Sequence, residues 1–158
     1  MSLRIALRQA IRAISGARCG FALLIFCLLS VSGGETRGDG LAIRDVSKKS
    51  KAIFEGERRV LVYNHGVMQG KHVPKTDHRK TRACYIHPVH GLDGEVLTED
   101  FPKDHFHHHG VFWTWPYVGV GDKTFDLWQG PGMDARFVAW LQEDAGPDCA
   151  VLGVENGW

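Results

Sequence analysis

Glycine-containing turn sequences divide this chain into short runs of Val, Ile, Phe, Tyr and Trp, and no long helical pattern interrupts them. The chain has 158 residues and 19 glycines, many in turn settings such as Glu55-Gly56, Gly91–Gly94, Gly119–Asp122 and Ala145–Asp148. Short β-prone runs with regular turn signals are typical of sandwiches and barrels. The sequence therefore predicts an all-β fold, an antiparallel β-sandwich.

Eight runs are predicted as strands. They are Leu41–Val46, Ala52–Phe54, Arg59–Tyr63, Ala83–His87, Glu95–Leu97, Gly110–Trp115, Thr124–Leu127 and Ala150–Val154. The turn Glu55–Arg58 predicts a hairpin between two of them. Ala135–Glu143 has two interpretations: a strand paired with Ala150–Val154, which we favour, or a short helix, since Phe137, Trp140 and Leu141 have helical spacing.

The N-terminal segment 1–32 is predicted to be a secretory signal peptide. It has four arginines and no acid, then the apolar run Phe21–Leu29, then small residues from Ser30 onward. The run is shorter than the roughly 20 residues that a membrane span needs, although an uncleaved anchor and an organellar transit peptide are alternatives. We expect export to the periplasm or the cell exterior, with no membrane contact after cleavage.

The remaining chain is predicted to contain a flexible lead-in, 33–40, and then the N-terminal part of one β-sandwich domain, 41–158. The expectation of a partial domain comes from the run Val151–Trp158, which looks like a strand still continuing. A final strand of that kind leaves unpaired backbone groups at a sheet edge.

The balance of charge excludes one class of partner. The chain has 19 Lys+Arg against 18 Asp+Glu, and loss of the four arginines in segment 1–32 leaves 15 against 18. Such a chain lacks the basic patch that nucleic acid or anionic lipid requires. Two cysteines, Cys84 and Cys149, remain after cleavage. They form a disulfide, which an oxidising compartment permits, or stay as buried free thiols.

Histidine clustering is the strongest anomaly of the sequence, because all nine histidines lie between His65 and His109. In an extended strand, alternation would place His105, His107 and His109 on one face. Such a set is suited to one divalent transition metal, Zn, Cu, Fe or Ni. A metal-free polar pocket and a solvated loop are the alternatives.

Carboxylates near these histidines are candidates for acid–base chemistry. Asp104 is assigned with His105 and His107 as catalytic, either as a general base or as a partner that orients an imidazole. Asp100, Asp126 and Glu155 are further candidates that the sequence does not rank.

A second polar group lies in the predicted strand around residue 85. Alternation places Tyr85 and His87 on one face, with Arg82 and Cys84 on the other. We assign His87 as catalytic and Tyr85 as ligand-binding, and Arg82 is suited to clamping a carboxylate or sugar hydroxyls. The alternative is that Tyr85 only packs and His87 only bonds to backbone.

Aromatic residues form a third group, since all five tryptophans lie in residues 113–158. Trp113 and Trp115 share a strand face and are predicted to stack on a sugar ring, with His109 also binding the ligand. Trp128 and Trp140 are predicted to lie in the core.

Several motifs occur here in the order found in one bacterial family: Tyr63-Asn-His-Gly66, Tyr85-Ile-His-Pro88, Asp100-Phe-Pro102, Asp104-His-Phe-His-His-His-Gly-Val-Phe-Trp113, Asp126-Leu-Trp128 and Leu152–Trp158. Over about residues 50–158 the chain resembles an exported domain-of-unknown-function family that is common in planctomycetes and often labelled methane oxygenase. The resemblance implies a longer exported β-sandwich protein, similar to the supersandwich of galactose mutarotase-like proteins. His109 stands where the family often has arginine.

The expected function is binding of, or action on, a carbohydrate or other small ligand in a histidine-rich cleft. His105, His107 and His109 would form its floor, and an enzyme of this kind would transfer protons at a sugar carbon or glycosidic centre. A non-catalytic sugar-binding or surface module is one alternative. A copper or iron oxygenase, as the family label suggests, is the other.

Overall fold

A computed structural model describes residues 40–129 and 133–158, together with the backbone of Leu3–Ile5. The strands are β1 (Leu3–Ile5), β2 (Leu41–Ser47), β3 (Ser50–Glu55), β4 (Arg58–Asn64), β5 (Met68–Gln69), β6 (Thr81–Arg82), β7 (Tyr85–Val89), β8 (Val111–Phe112), β9 (Val118–Val120), β10 (Lys123–Phe125), β11 (Arg136–Ala145) and β12 (Ala150–Gly157). Within these ranges the helical content is one 3-10 turn, His78–Lys80. No helix in this part of the chain is long and apolar enough to cross a membrane. The predicted all-β class is confirmed.

The main layer is a five-stranded antiparallel sheet in the order β2-β3-β4-β7-β8. The predicted hairpin over Glu55–Arg58 joins β3 to β4, with Gly56 at a φ of 58° in its turn. A positive φ is readily adopted by glycine, which explains why the turn signal was reliable at this point.

The second layer is the hairpin of β11 and β12, with β1 paired to the outer side of β12. The helical interpretation of Ala135–Glu143 is therefore wrong, and the strand interpretation is confirmed. The layers meet where Tyr63 Oη donates to Asn156 Oδ1 at 3.0 Å and Lys51 Nζ lies 2.5 Å from Glu143 Oε2. This packing is that of a β-sandwich, as predicted.

The core between the layers contains Tyr63, Ala83, Cys84, Ala135 and Val154, with Trp140 packed against them. The Tyr63 and Trp140 rings meet edge to face at 5.9 Å, which confirms the predicted core position of Trp140. Beside this cluster the layers diverge around an open, largely apolar cavity of about 720 Å³. The two cysteines of this part of the chain are free, Cys84 buried and Cys149 exposed, so the disulfide is not formed and only one thiol is buried.

Several predicted strands have different bounds. Glu95–Leu97 forms only a single bridge, from Val96 to His90. The predicted strand Gly110–Trp115 is reduced to β8, and the one from Ala83 begins at Tyr85, because Cys84 has a φ of 62° that interrupts the extended backbone. The predicted signal peptide 1–32 and lead-in 33–40 lie outside the described residues, apart from the β1 backbone and residue 40.

A segment that crosses the face of β7 positions the polar residues described below. Leu97 N donates to Val89 O at 2.8 Å, and Gly110 N donates to Glu99 O at 2.8 Å. These two bonds hold Thr98–Asp100, which we call the crossing segment, between β7 and the start of β8.

Candidate functional site

The centre of the candidate site is a buried chain of three polar side chains. Tyr85 Oη donates to Asp100 Oδ2 at 2.8 Å, and His109 Nδ1 lies 3.0 Å from Asp100 Oδ1. An ionised carboxylate only accepts hydrogen bonds, so both neighbours donate to it. We call these three residues the Tyr85–Asp100–His109 relay.

Local structure brings the three residues together. Tyr85 begins β7, and Asp100 is the last residue of the crossing segment that passes over this strand. Asp100 and His109 form an isolated antiparallel bridge, and Phe101 N donates to His108 O at 3.0 Å. The intervening loop therefore returns to its own start and places His109 opposite Asp100.

Aromatic rings enclose the His109 imidazole, which is 2% exposed. The ring centroids of Phe101, Tyr85 and Phe112 lie 4.4, 5.4 and 5.6 Å from it. Burial lowers the pKa of His109 below its ordinary value, and the hydrogen bond to Asp100 opposes this only in part. The His109 imidazole is therefore neutral at pH 7, with its proton on Nδ1, the nitrogen that bonds to Asp100.

Burial also raises the pKa of Tyr85 far above its ordinary value, and the negative charge of Asp100 adds to the effect. The hydroxyl therefore stays protonated and remains a donor. In the relay, the tyrosine and the histidine both stabilise one carboxylate, whose side chain is 18% exposed.

Within the part of the chain that the structure describes, the hydrogen bond of the His109 ring is the one from Nδ1 to Asp100. His109 also lines a small cavity of about 10 Å³, roughly the space of one water molecule. The other lining residues are His78, Arg79, Thr81, Arg82, His107, Trp128, Gln129 and Asp134. A neutral imidazole whose Nδ1 proton is held by a carboxylate and whose ring lines a cavity is suited to accept a proton at its other nitrogen.

His87 lies apart from this cavity. Its Nδ1 is 2.9 Å from Thr98 Oγ1, which also accepts from Val89 N at 3.1 Å. Tyr85 and His87 both bond to the crossing segment, so the prediction that they share a strand face is correct. His87 is half-buried and burial lowers its pKa, but it does not line the cavity with His109.

The predicted alternation of His105, His107 and His109 is wrong, because residues 102–108 form turns and not a strand. His105 N donates to Pro102 O at 3.1 Å, and His108 N donates to His105 O at 2.9 Å. The turns stack His105 on His108, with ring centroids 4.8 Å apart, and leave His109 alone beside Asp100.

Asp104 and His105 form an exposed pair at 3.0 Å, and this hydrogen bond lowers the pKa of Asp104. Among the described residues, no group of three or more His, Cys, Asp or Glu side chains is arranged to hold a metal ion. The structure thus does not bring His105, His107 and His109 into one ligand set, and metal binding stays a prediction from the sequence.

Trp113 and Trp115 contact each other edge to face at 5.9 Å and are both about half exposed. Neither lines the small cavity, and Trp113 borders the large cavity between the layers. Trp128 lines the small cavity instead, with its ring 6.3 Å from that of His107. It is 39% exposed, so its predicted core position is wrong.

The sequence predicted Arg82 as a clamp for a carboxylate or sugar hydroxyls, left Asp100 unranked among the candidate acids, and did not indicate Trp128 as a site residue. The signal available for Asp100 was the pair of breakers, Pro102 and Gly110, which bracket the histidine block as a loop. A loop between adjacent strand ends brings the residues at its two ends together, here Asp100 and His109.

No curated protein and no solved structure matches the chain. One family model matches residues 52–158, which include every residue of the relay and all the residues that line the small cavity. The family has no assigned activity. The chain belongs to this family of unknown function, DUF6807.

Proposed function

We propose that the chain binds a carbohydrate over the small cavity between His107, His109 and Trp128, and that His109 exchanges a proton with the bound ring. The observation that carries the proposal is the relay, which holds His109 Nδ1 on Asp100 while the imidazole lines the cavity.

Proton transfer follows from the surroundings of His109. Its pKa lies below the ordinary value, so the imidazole is unprotonated at neutral pH and ready to accept. When Nε2 takes a proton from a ligand hydroxyl or an acidic carbon, the Asp100 carboxylate stabilises the imidazolium that forms. The proton then returns to another atom of the ligand, so the reaction needs no oxidant or reductant.

Carbohydrate is the ligand class that best suits the wall of the cavity. The exposed Trp128 ring offers an apolar face on which a sugar ring stacks. His107 Nδ1, buried and without a hydrogen-bond partner among the described residues, is available for a hydroxyl. An aromatic platform beside unpaired polar groups is typical of sugar sites.

The experiment is a binding and exchange assay with a panel of neutral and acidic monosaccharides. Binding is followed by saturation-transfer NMR, and proton transfer by anomer interconversion and by deuterium uptake from solvent. His109→Gln is the test variant, and His90→Gln is the control because His90 lies outside the small cavity. We expect His109→Gln to lose exchange by at least about 100-fold, the scale of general acid–base catalysis.

Each outcome separates the proposal from its alternatives. Binding without exchange in the wild type favours a non-catalytic sugar module. Absence of any sugar binding by the folded protein refutes the proposal. Near-stoichiometric copper or iron, lost in a His105→Ala, His107→Ala variant and accompanied by oxygen uptake, would favour the oxygenase alternative.

A further inference from the structure

Arg82 is a buried guanidinium with few partners. The residue is 7% exposed, Nη1 donates to Leu127 O at 3.1 Å, and the charged group lies over the rings of Phe112 and Trp158 at 5.2 and 6.0 Å. Its Nε is shielded from solvent and has no hydrogen-bond partner within the described ranges. Arginine has five N–H donors, so most of this donor capacity is unused.

No carboxylate of the described residues forms an ion pair with Arg82. Asp134, the acid on the same cavity, is outside ion-pair distance and acts on Arg82 only through its field. Burial of a charge is costly when it is left unpaired, and arginine keeps its proton at neutral pH. The Arg82 guanidinium thus lacks a carboxylate of the described residues within ion-pair distance.

Arg82 lines the same small cavity as His109, and two of its neighbours there are charged, Arg79 and Asp134. Arg79 is already neutralised by Asp77, with nitrogen–oxygen distances of 2.7 and 2.9 Å. Arg82 is therefore the arginine of the cavity wall that has no carboxylate of the described residues within ion-pair distance, since Asp134 acts on it only from farther away. A volume of about 10 Å³ has room for one small polar group and not for a whole ligand.

We infer that Arg82 binds the carboxylate of an acidic sugar, so that the ligand of this site is a uronate and not a neutral monosaccharide. One oxygen of the carboxylate enters the small cavity, while the sugar ring stays outside against Trp128. The planar guanidinium matches a carboxylate in shape and charge, and a carboxylate is smaller than a tetrahedral phosphate or sulfate. The inference rests on the proposed function, since it names the substrate class of the same site.

The test compares pairs of ligands that differ in one group, glucuronate with glucose and galacturonate with galactose, by calorimetry at low salt. We expect the wild type to bind each uronate at least tenfold more tightly than its neutral partner. Arg82→Gln should remove this preference, so that the ratio of uronate to neutral-sugar affinity falls to about one. Arg79→Gln is the matched control, because it removes a cavity-lining arginine whose charge is already paired.

If Arg82→Gln does not fold, the preference for uronate over neutral sugar is tested in Arg82→Lys and in the wild type. Arg82→Lys keeps the positive charge but loses the planar guanidinium and its paired N–H donors, and we expect it to retain part of the preference for uronate. Equal affinity of the wild type for a uronate and its neutral partner overturns the inference and leaves the proposed function standing. A preference that persists in folded Arg82→Gln also overturns it.

Simple carboxylates separate this inference from the proposed function. Acetate or lactate bound by the wild type and lost in Arg82→Gln, with no sugar bound at all, supports the anion site and refutes carbohydrate binding. Tighter binding of sugar phosphates or sulfates than of uronates overturns the assignment of carboxylate.

Discussion

Gly110 and Gly121 have the same backbone conformation in different surroundings, and the difference allows a sharp test of how β8 and His109 are positioned. Their φ angles are 59° and 58°. A Cβ at Gly121 would meet no atom within 4 Å, whereas one at Gly110 would lie 2.2 Å from Ile86 O. Alanine at either position costs about 1–2 kcal/mol for the left-handed backbone alone.

Gly110→Ala carries a steric term as well. The Cβ has to move about 0.8 Å to reach 3.0 Å from Ile86 O, below which real Cβ contacts are essentially never seen. Overpacking of this kind costs about 1–3 kcal/mol. We therefore expect Gly110→Ala to lower the free energy of unfolding by about 2–5 kcal/mol and Gly121→Ala by about 1–2 kcal/mol.

Urea denaturation of both variants measures the difference, and ¹⁵N NMR of the His109 imidazole gives a second readout. Displacement of residue 110 should weaken the bond between His109 Nδ1 and Asp100 and change the tautomer signal only in Gly110→Ala. Equal destabilisation of the two variants, within about 0.5 kcal/mol, would show that the close approach to Ile86 does not position β8.

Two further predictions concern buried groups. Tyr85→Phe removes the donor to Asp100 and should lower the free energy of unfolding by about 1.5–3 kcal/mol, the range for hydrogen bonds to charged groups, as measured by urea denaturation. The same change at the exposed Tyr117 should have an effect below about 0.5 kcal/mol, and equal effects of the two substitutions would refute the relay. Burial raises the pKa of Cys84 from 9.0 to about 11, so the unfolded chain loses this proton first and stability should fall as pH rises from 9 to 11. Cys84→Ala should remove that part of the pH dependence, and a slope unchanged by the substitution would contradict the assignment. In the native protein at pH 8, iodoacetamide should modify Cys149 quickly and Cys84 only after unfolding, as peptide mapping would show.

The layers and hairpins were predictable because their signals are local. The turn after Glu55 and the turn before Ala150 each contain the residues that the backbone there requires, and β-prone runs flank both. Alternation also correctly placed Tyr85 and His87 on one face, since β7 is extended over that range.

The histidine block was misassigned because alternation holds only for extended backbone. Pro102 begins a series of turns, and backbone bonds such as His108 N to His105 O replace those of a strand. The pairing of Asp100 with His109 depends on how the loop closes, which no local pattern encodes. The predicted core position of Trp128 was wrong because the exposure of this side chain is set by neighbours that are distant in sequence, which no local pattern indicates.

The closed base of the histidine loop has an evolutionary consequence. The bond from Phe101 N to His108 O and the bridge between Asp100 and His109 hold the loop ends independently of what lies between them. Both contacts are made by backbone groups, so the loop ends stay together whichever side chain stands at 109. A chain with arginine at 109, as the resembling family often has, would therefore keep this loop closed but lack the imidazole, so the proposed proton transfer applies to chains with histidine at this position.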